Sequence, residues 1–133
     1  MEVLKSFRAY VEKMREEGEL TEVRQEVDWR YEMGAVTRRA YDLHAPAPLF
    51  SNVRDCIPGF RVLGAPMGIS TDPRYPFKRV ALSLGLPVEM SGPEIVKAWS
   101  GLADMDPIPP RTVDSGPCKE NRLFGTDIHL TRL

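Results

Sequence analysis

The sequence predicts a mixed α/β fold (α+β-like), in which one mixed sheet is built on a central antiparallel strand pair and covered by about four helices. Three observations carry this. Two apolar runs of strand length, 49–53 and 60–65, contain the β-forming residues Phe50, Val53, Phe60 and Val62 and flank a turn-rich connection holding Pro58-Gly59. Neighbouring strands usually pair, so an antiparallel pair is expected. Neither run alternates, as expected of strands covered by helices, and amphipathic helical patterns lie on both sides to supply the cover.

Taken in order, Leu4, Phe7, Val11 and Met14 share one helical face, Ser6 is placed as N-cap and Gly18 as the left-handed terminator, giving a helix over 7–17. Residues 19–27 read as an exposed edge strand. Asp28 is placed as N-cap of a second helix, with Trp29, Met33, Val36, Ala40 and Leu43 as its apolar stripe. Arg38, Arg39 and His44 gather at its C-terminal end, where the helix dipole favours positive charge. The Arg38-Arg39 pair is a candidate phosphate ligand. It reads better as a solvated last turn, because no glycine-rich phosphate loop lies nearby.

After the strand pair, the loop 66–75 matches neither a phosphate loop nor a nucleophile elbow. Pro76 opens a third helix with the face Phe77, Val80, Ala81 and Leu84, ended by Gly85 and Pro87. Ser91 and Glu94 have capping-box spacing, and Ile95, Trp99 and Leu102 form the expected buried stripe of a fourth helix. Trp99 could stack a ligand ring, but its helical spacing with two aliphatics places it in the core. Beyond the prolines of 106–110, short strands are expected over 111–114, 118–123 and 128–133, with turns at 115–117 and 125–127. The domain expectation is therefore an N-terminal α/β domain over 1–113, followed over 114–133 by a connector and first strands.

The 133 residues suit one domain with a real core. A hydrophobic content of 42%, a charged content of 28% and a net charge of -1 are ordinary for a soluble protein and offer no basic field for nucleic acid or acidic membrane. No apolar run approaches the roughly 20 residues of a membrane helix, and the N-terminus lacks a signal-peptide pattern. A cytoplasmic protein is the expectation. Cys56 and Cys118 stand far apart, each near a proline; a disulfide between them stays open, but two lone thiols in a reducing compartment are the preferred reading. The 12 prolines punctuate the ends of periodic segments instead of disordering the chain.

Chemistry-bearing patterns are sparse. Two histidines, His44 and His129, form no zinc motif. Asp104 and Asp106 lack the further oxygen ligands that a hard cation needs. Glu120 and His129 could form an acid/base pair, and Cys118 a nucleophile, but the spacing brings no base to the thiol. Read from the residues alone, the chain is an α/β domain with no recognisable active site.

The C-terminal third is more specific. Asp106-Pro107-Ile108-Pro109-Pro110, Gly116-Pro117-Cys118-Lys119-Glu120-Asn121 and Asp127-Ile128-His129-Leu130-Thr131 with Leu133 resemble the segment leading into the second domain of UbiD-type decarboxylases, in the branch acting on ferulic, cinnamic and heteroaromatic acids. Upstream, Phe60-Arg61-Val62-Leu63-Gly64-Ala65-Pro66 and Ala47-Pro48-Leu49-Phe50 with Asn52 are similar to that family's N-terminal sheet. Thr37-Arg38-Arg39 is similar to its second helix, and Gly18-Glu19-Leu20 to the join after its first. The resemblance covers essentially the whole chain.

The resemblance implies a parent enzyme of three parts: this α/β domain, a split-barrel domain holding prenylated FMN, and a C-terminal dimerising domain. It implies reversible decarboxylation of aromatic, heteroaromatic or α,β-unsaturated carboxylic acids through a covalent adduct with the flavin. A glutamate–arginine–glutamate network would handle the proton, and a divalent metal (Mn or Mg) with potassium would hold the cofactor phosphate. All those residues belong to the later domains. The expectation here is thus no catalytic, cofactor-binding or metal-binding residue on this chain, which alone would be inactive. Its partners would be the rest of the decarboxylase, itself a homodimer or higher homo-oligomer, with no nucleic acid and no membrane. Glu120 and Asn121 would shape the connector. Residues 128–133, lacking their sheet neighbours, would repack, swap with another copy or be ordered by a crystal neighbour. Two other readings stay open: a stand-alone, non-catalytic interaction module derived from that domain, and a small enzyme using Cys118, Glu120 and His129.

Overall fold

A computed structural model describes residues 4–128. In chain order it contains α1 (Phe7–Glu16), β1 (Leu20–Val23), α2 (Glu32–Asp42), β2 (Ala47–Phe50), β3 (Val62–Leu63), α3 (Lys78–Ser83) and α4 (Gly92–Ser100). The chain divides into two units, Met1–Ala103 and Asp104–Leu133.

In the first unit, β2 is the central strand of the sheet order β1-β2-β3. β1 runs parallel to it, with Leu20 opposite Ala47 and Val23 opposite Phe50. A parallel neighbour needs a crossover, and α2 supplies it. β3 is antiparallel, with Leu49 opposite Leu63 and Phe50 opposite Val62. The expected antiparallel pair is therefore present. Pairing with the first strand lapses after Val23 and resumes at a parallel bridge between Val27 and Val53.

All four residues of β2 are buried, because both faces of the sheet are covered. Ala47 and Phe50 differ in parity and so point to opposite sides. Ala47 packs with Tyr10, Met14 and Leu82, from α1 and α3. Phe50 packs with Val27 and Val53, against Trp29 and Met33 on the α2 side.

The helices form where expected, with different faces inward. Ser6 caps α1 by accepting the Ala9 N–H. Tyr10, Val11 and Met14 are buried, whereas Phe7 is exposed. Tyr10 wins the interior position because its hydroxyl finds buried carbonyls there, at Pro66 (2.6 Å) and Arg79 (3.2 Å). Asp28 does not cap α2. Its carboxylate accepts the Arg30 N–H in a turn and pairs with Arg54, and the helix starts only after Tyr31. The inward face of α2 is Met33, Thr37 and Ala40, all half-buried, while Val36 and Leu43 are exposed.

Gly64 explains that rotation. A Cβ at this position would lie 2.9 Å from Thr37 Cγ2 and 3.1 Å from Pro48 Cγ, with Thr37 Oγ1 nearer still. The missing side chain is the room in which Thr37 of α2 and Pro48 of β2 close over the chain just past β3. Gly64→Ala is therefore expected to lower stability by about 1–3 kcal/mol through overpacking, measured by urea unfolding, and Thr37→Ala in the same chain should return part of the loss.

In α3 the buried residues are Arg79, Ala81 and Leu82. The expected face of Phe77, Val80, Ala81 and Leu84 shares only Ala81 with it, because a buried partner for Arg79 turns the helix. In α4, Glu94 reaches back as foreseen, accepting from the Ser91 N–H at 2.8 Å. Only Ile95 is buried, however; Trp99 is 58% and Leu102 50% exposed, which corrects their assignment to the core.

The second unit, over 104–128, contains two short 3-10 turns, Pro117–Lys119 and Gly125–Asp127. No strand forms among its described residues, which corrects the strands expected over 111–114 and 118–123. A strand requires a partner for its backbone groups, and here the amides of Lys119, Glu120 and Asp127 bond locally to carbonyls three residues back. Residues 129–133, most of the last expected strand and of the tail expected to repack or swap, lie outside the described residues.

Candidate functional site

The first unit converges on a buried ion pair, and the route to it begins at a helix end. Gly18 takes φ +72° just past α1. Its N–H bonds to the Arg15 carbonyl, and the Glu19 N–H to that of Met14 (2.8 Å). This left-handed terminator reverses the chain and drives Glu19 inward, ahead of β1. Glu19 is fully buried, as is Arg79 but for 1%.

Arg79 Nε donates to Glu19 Oε2 at 2.7 Å, and Arg79 Nη2 to the Ala45 carbonyl at 2.6 Å. Glu19 Oε1 accepts from the hydroxyls of Ser70 (2.6 Å) and Thr71 (3.1 Å), and Oε2 also accepts from the Thr71 N–H (3.3 Å). The Ser70 Oγ accepts in turn from the Asp72 N–H, and the Ser70 N–H bonds to the Pro76 carbonyl. One carboxylate thus joins the end of α1, the start of β1, the loop 66–76, α3 and, through Ala45, the segment between α2 and β2.

Burial by itself pushes the Glu19 carboxyl up, but the hydrogen bonds from Ser70, Arg79 and Thr71 and the Arg79 charge outweigh it and hold the group below its ordinary range. Burial pushes the neighbouring Tyr10 phenol up to about 12, so it stays a donor at neutral pH. No buried side-chain nitrogen or oxygen among the described residues lacks a partner. With four hydrogen bonds taken and no proton to give, Glu19 is neither a general base nor a free ligand. The site ties loops together.

Among the described residues, those singled out from the sequence form no second centre within either unit. Arg38 is committed to Asp42 at 2.9 Å on the α2 surface. It borders a shallow groove of about 540 Å³ walled by Trp29, Met33, Thr37, Tyr41, Val62 and Ala65. Cys56 is half-buried and Cys118 exposed, both free. Asp104, Asp106 and Glu120 are exposed, and His129 lies outside the described residues. Among the described residues no group of three or more His, Cys, Asp or Glu side chains could hold a metal ion, and no helix is long and apolar enough to cross a membrane.

The Glu19–Arg79 hub escapes sequence reasoning because nothing local distinguishes either residue from a solvated charge. Its one signal is Gly18-Glu19-Leu20, which stands among the motifs of the family resemblance but reads there only as a join.

Fold and hub together define a small mixed α/β domain organised on a buried, fully bonded ion pair. The chain belongs to the family described as the 3-octaprenyl-4-hydroxybenzoate carboxy-lyase N-terminal domain, matched over residues 11–99. It is 47% identical over 127 residues to pyrrole-2-carboxylic acid decarboxylase of Pseudomonas aeruginosa, covering 95% of this chain and 25% of that protein. It is 35% identical over 130 residues to ferulic acid decarboxylase 1 of Saccharomyces cerevisiae, covering 96% of this chain and 26% of that protein. The open form of vanillic acid decarboxylase from Sedimentibacter hydroxybenzoicus is similar in structure, with TM-score 0.69 and 29% identity over 91% of this chain and 25% of that chain. The chain thus spans about a quarter of the length of these relatives and corresponds to their N-terminal part.

Proposed function

We propose that this chain is the N-terminal portion of a cytoplasmic, prenylated-FMN-dependent decarboxylase that acts reversibly on aromatic, heteroaromatic or α,β-unsaturated carboxylic acids, and that the portion alone is inactive. The observation that carries the reading is the 47% identity to pyrrole-2-carboxylic acid decarboxylase along nearly the whole chain. It makes a heteroaromatic acid such as pyrrole-2-carboxylate the first substrate to try. The parent enzyme acts as a homodimer or higher homo-oligomer.

What the described residues offer supports placing the flavin, its divalent metal and potassium elsewhere in the parent enzyme. The two glycines that bracket the 64–68 turn open onto protein, not onto a cradle: a Cβ at Gly64 meets Thr37, and one at Gly68 meets Arg79 at 3.0 Å. The basic side chain at the groove, Arg38, is neutralised by Asp42. Cofactor and chemistry are therefore assigned to the rest of the enzyme. This domain contributes a rigid body whose loops are held by Glu19 and Arg79.

The test is carbon dioxide release from pyrrole-2-carboxylate by the polypeptide of the whole reading frame and by the 133-residue chain. Release by the longer polypeptide only is expected. A frame ending at Leu133, or release by the short chain, would overturn the reading.

A further inference from the structure

We propose that the exposed apolar face of α4 is the seat of the catalytic remainder of the longer decarboxylase chain; the inference rests on the reading of this chain as the first quarter of such an enzyme. Positions 92, 96 and 99 follow one another at helical spacing along a single face of α4. They are Gly92, Val96 and Trp99, with no polar side chain among them. Val96 is 65% exposed and Trp99 58%. The Phe77 ring lies 3.0 Å from where a Gly92 Cβ would stand, so it rests on the first turn and lengthens the strip. Glu94 and Lys97 project from the other side of the helix.

Ile95 adjoins this face and is buried within the unit. The apolar arc of α4 is therefore wide enough for contact on two sides, and only one of them is filled within the first unit. A helix apolar over so wide an arc is patterned for burial. Trp99 in particular carries a large apolar area that gains most when it is covered.

The length of chain outside this structure decides the occupant. A domain tethered by the same polypeptide needs less surface than a separate chain, because the tether supplies a high effective concentration. The relatives supply such a domain: three-quarters of their length lies outside the match to this chain.

Hydroxyl-radical footprinting at Trp99, read by mass spectrometry, tests this in the full-length polypeptide and in the 133-residue chain. The Trp99 oxidation rate is expected to fall at least fivefold in the full-length protein. In that protein Trp99→Glu should lower the thermal midpoint by about 2–4 °C, with no shift in the 133-residue chain. Unchanged oxidation in a full-length polypeptide that releases carbon dioxide would overturn this seat and leave the decarboxylase reading standing. Protection already present in the short chain, with a dimer in sedimentation that Val96→Asp dissolves, would overturn it in favour of a second copy.

Discussion

Replacing Arg79 by methionine is expected to lower the stability of the domain by about 3–5 kcal/mol, the cost of leaving a buried charge without its partner. Methionine keeps much of the side-chain volume, so the loss reports electrostatics more than packing. Glu19 would retain Ser70 and Thr71 but lose its counter-ion, and the Ala45 carbonyl would lose its donor. Urea unfolding of the two single variants and of Glu19→Gln/Arg79→Met measures the coupling. The double variant should be distinctly more stable than the sum of the single losses implies.

The same pair predicts a response to acid. Glu19 is held below its ordinary value of 4.5 in the folded state, so the unfolded chain binds the proton more readily. Its stabilisation is complete above the unfolded value and is lost as pH falls through the folded one. The urea midpoint should therefore decline as pH is taken below about 4.5, and Glu19→Gln should flatten that decline. An Arg79→Met variant as stable as the parent would show that the hub does not hold the loops.

Phe50→Ala is the second large effect, expected to cost about 3–5 kcal/mol. Phe50 is fully buried at the end of the central strand, where it is paired on both sides, to Val23 and to Val62. Its ring fills the layer between the sheet and the α2 side, among Val27 and Val53, with Trp29 and Met33 at the margin. Neighbouring strands fix the backbone at this point, so the cavity can close little and the upper part of the range applies. Phe50→Leu, which keeps most of the volume, should lose less than half as much. Equal losses would place the strain in the strand instead of in the cavity.

The sequence by itself determined the elements whose signals are local. The cap at Ser6, the terminator at Gly18, the Ser91–Glu94 reach-back and the two β-rich runs around Pro58-Gly59 each depend on residues a few positions apart, and each is found in place. Glu19, Ser70 and Arg79 are a different case, since residues up to 60 apart meet only once helices and loop have packed. Which face of each helix turns inward was likewise decided by the tertiary structure. Tyr10 displaced Phe7 because buried carbonyls await its hydroxyl, Thr37 displaced Val36 because Gly64 leaves room for it, and Arg79 turned α3 toward Glu19. Hydrophobic periodicity reports how much of a helix is apolar; the partner decides which part of that surface is buried. The segment 104–128 shows the same division. Its residues favour extended backbone, but a strand exists only where another strand accepts its hydrogen bonds, and among the described residues none does.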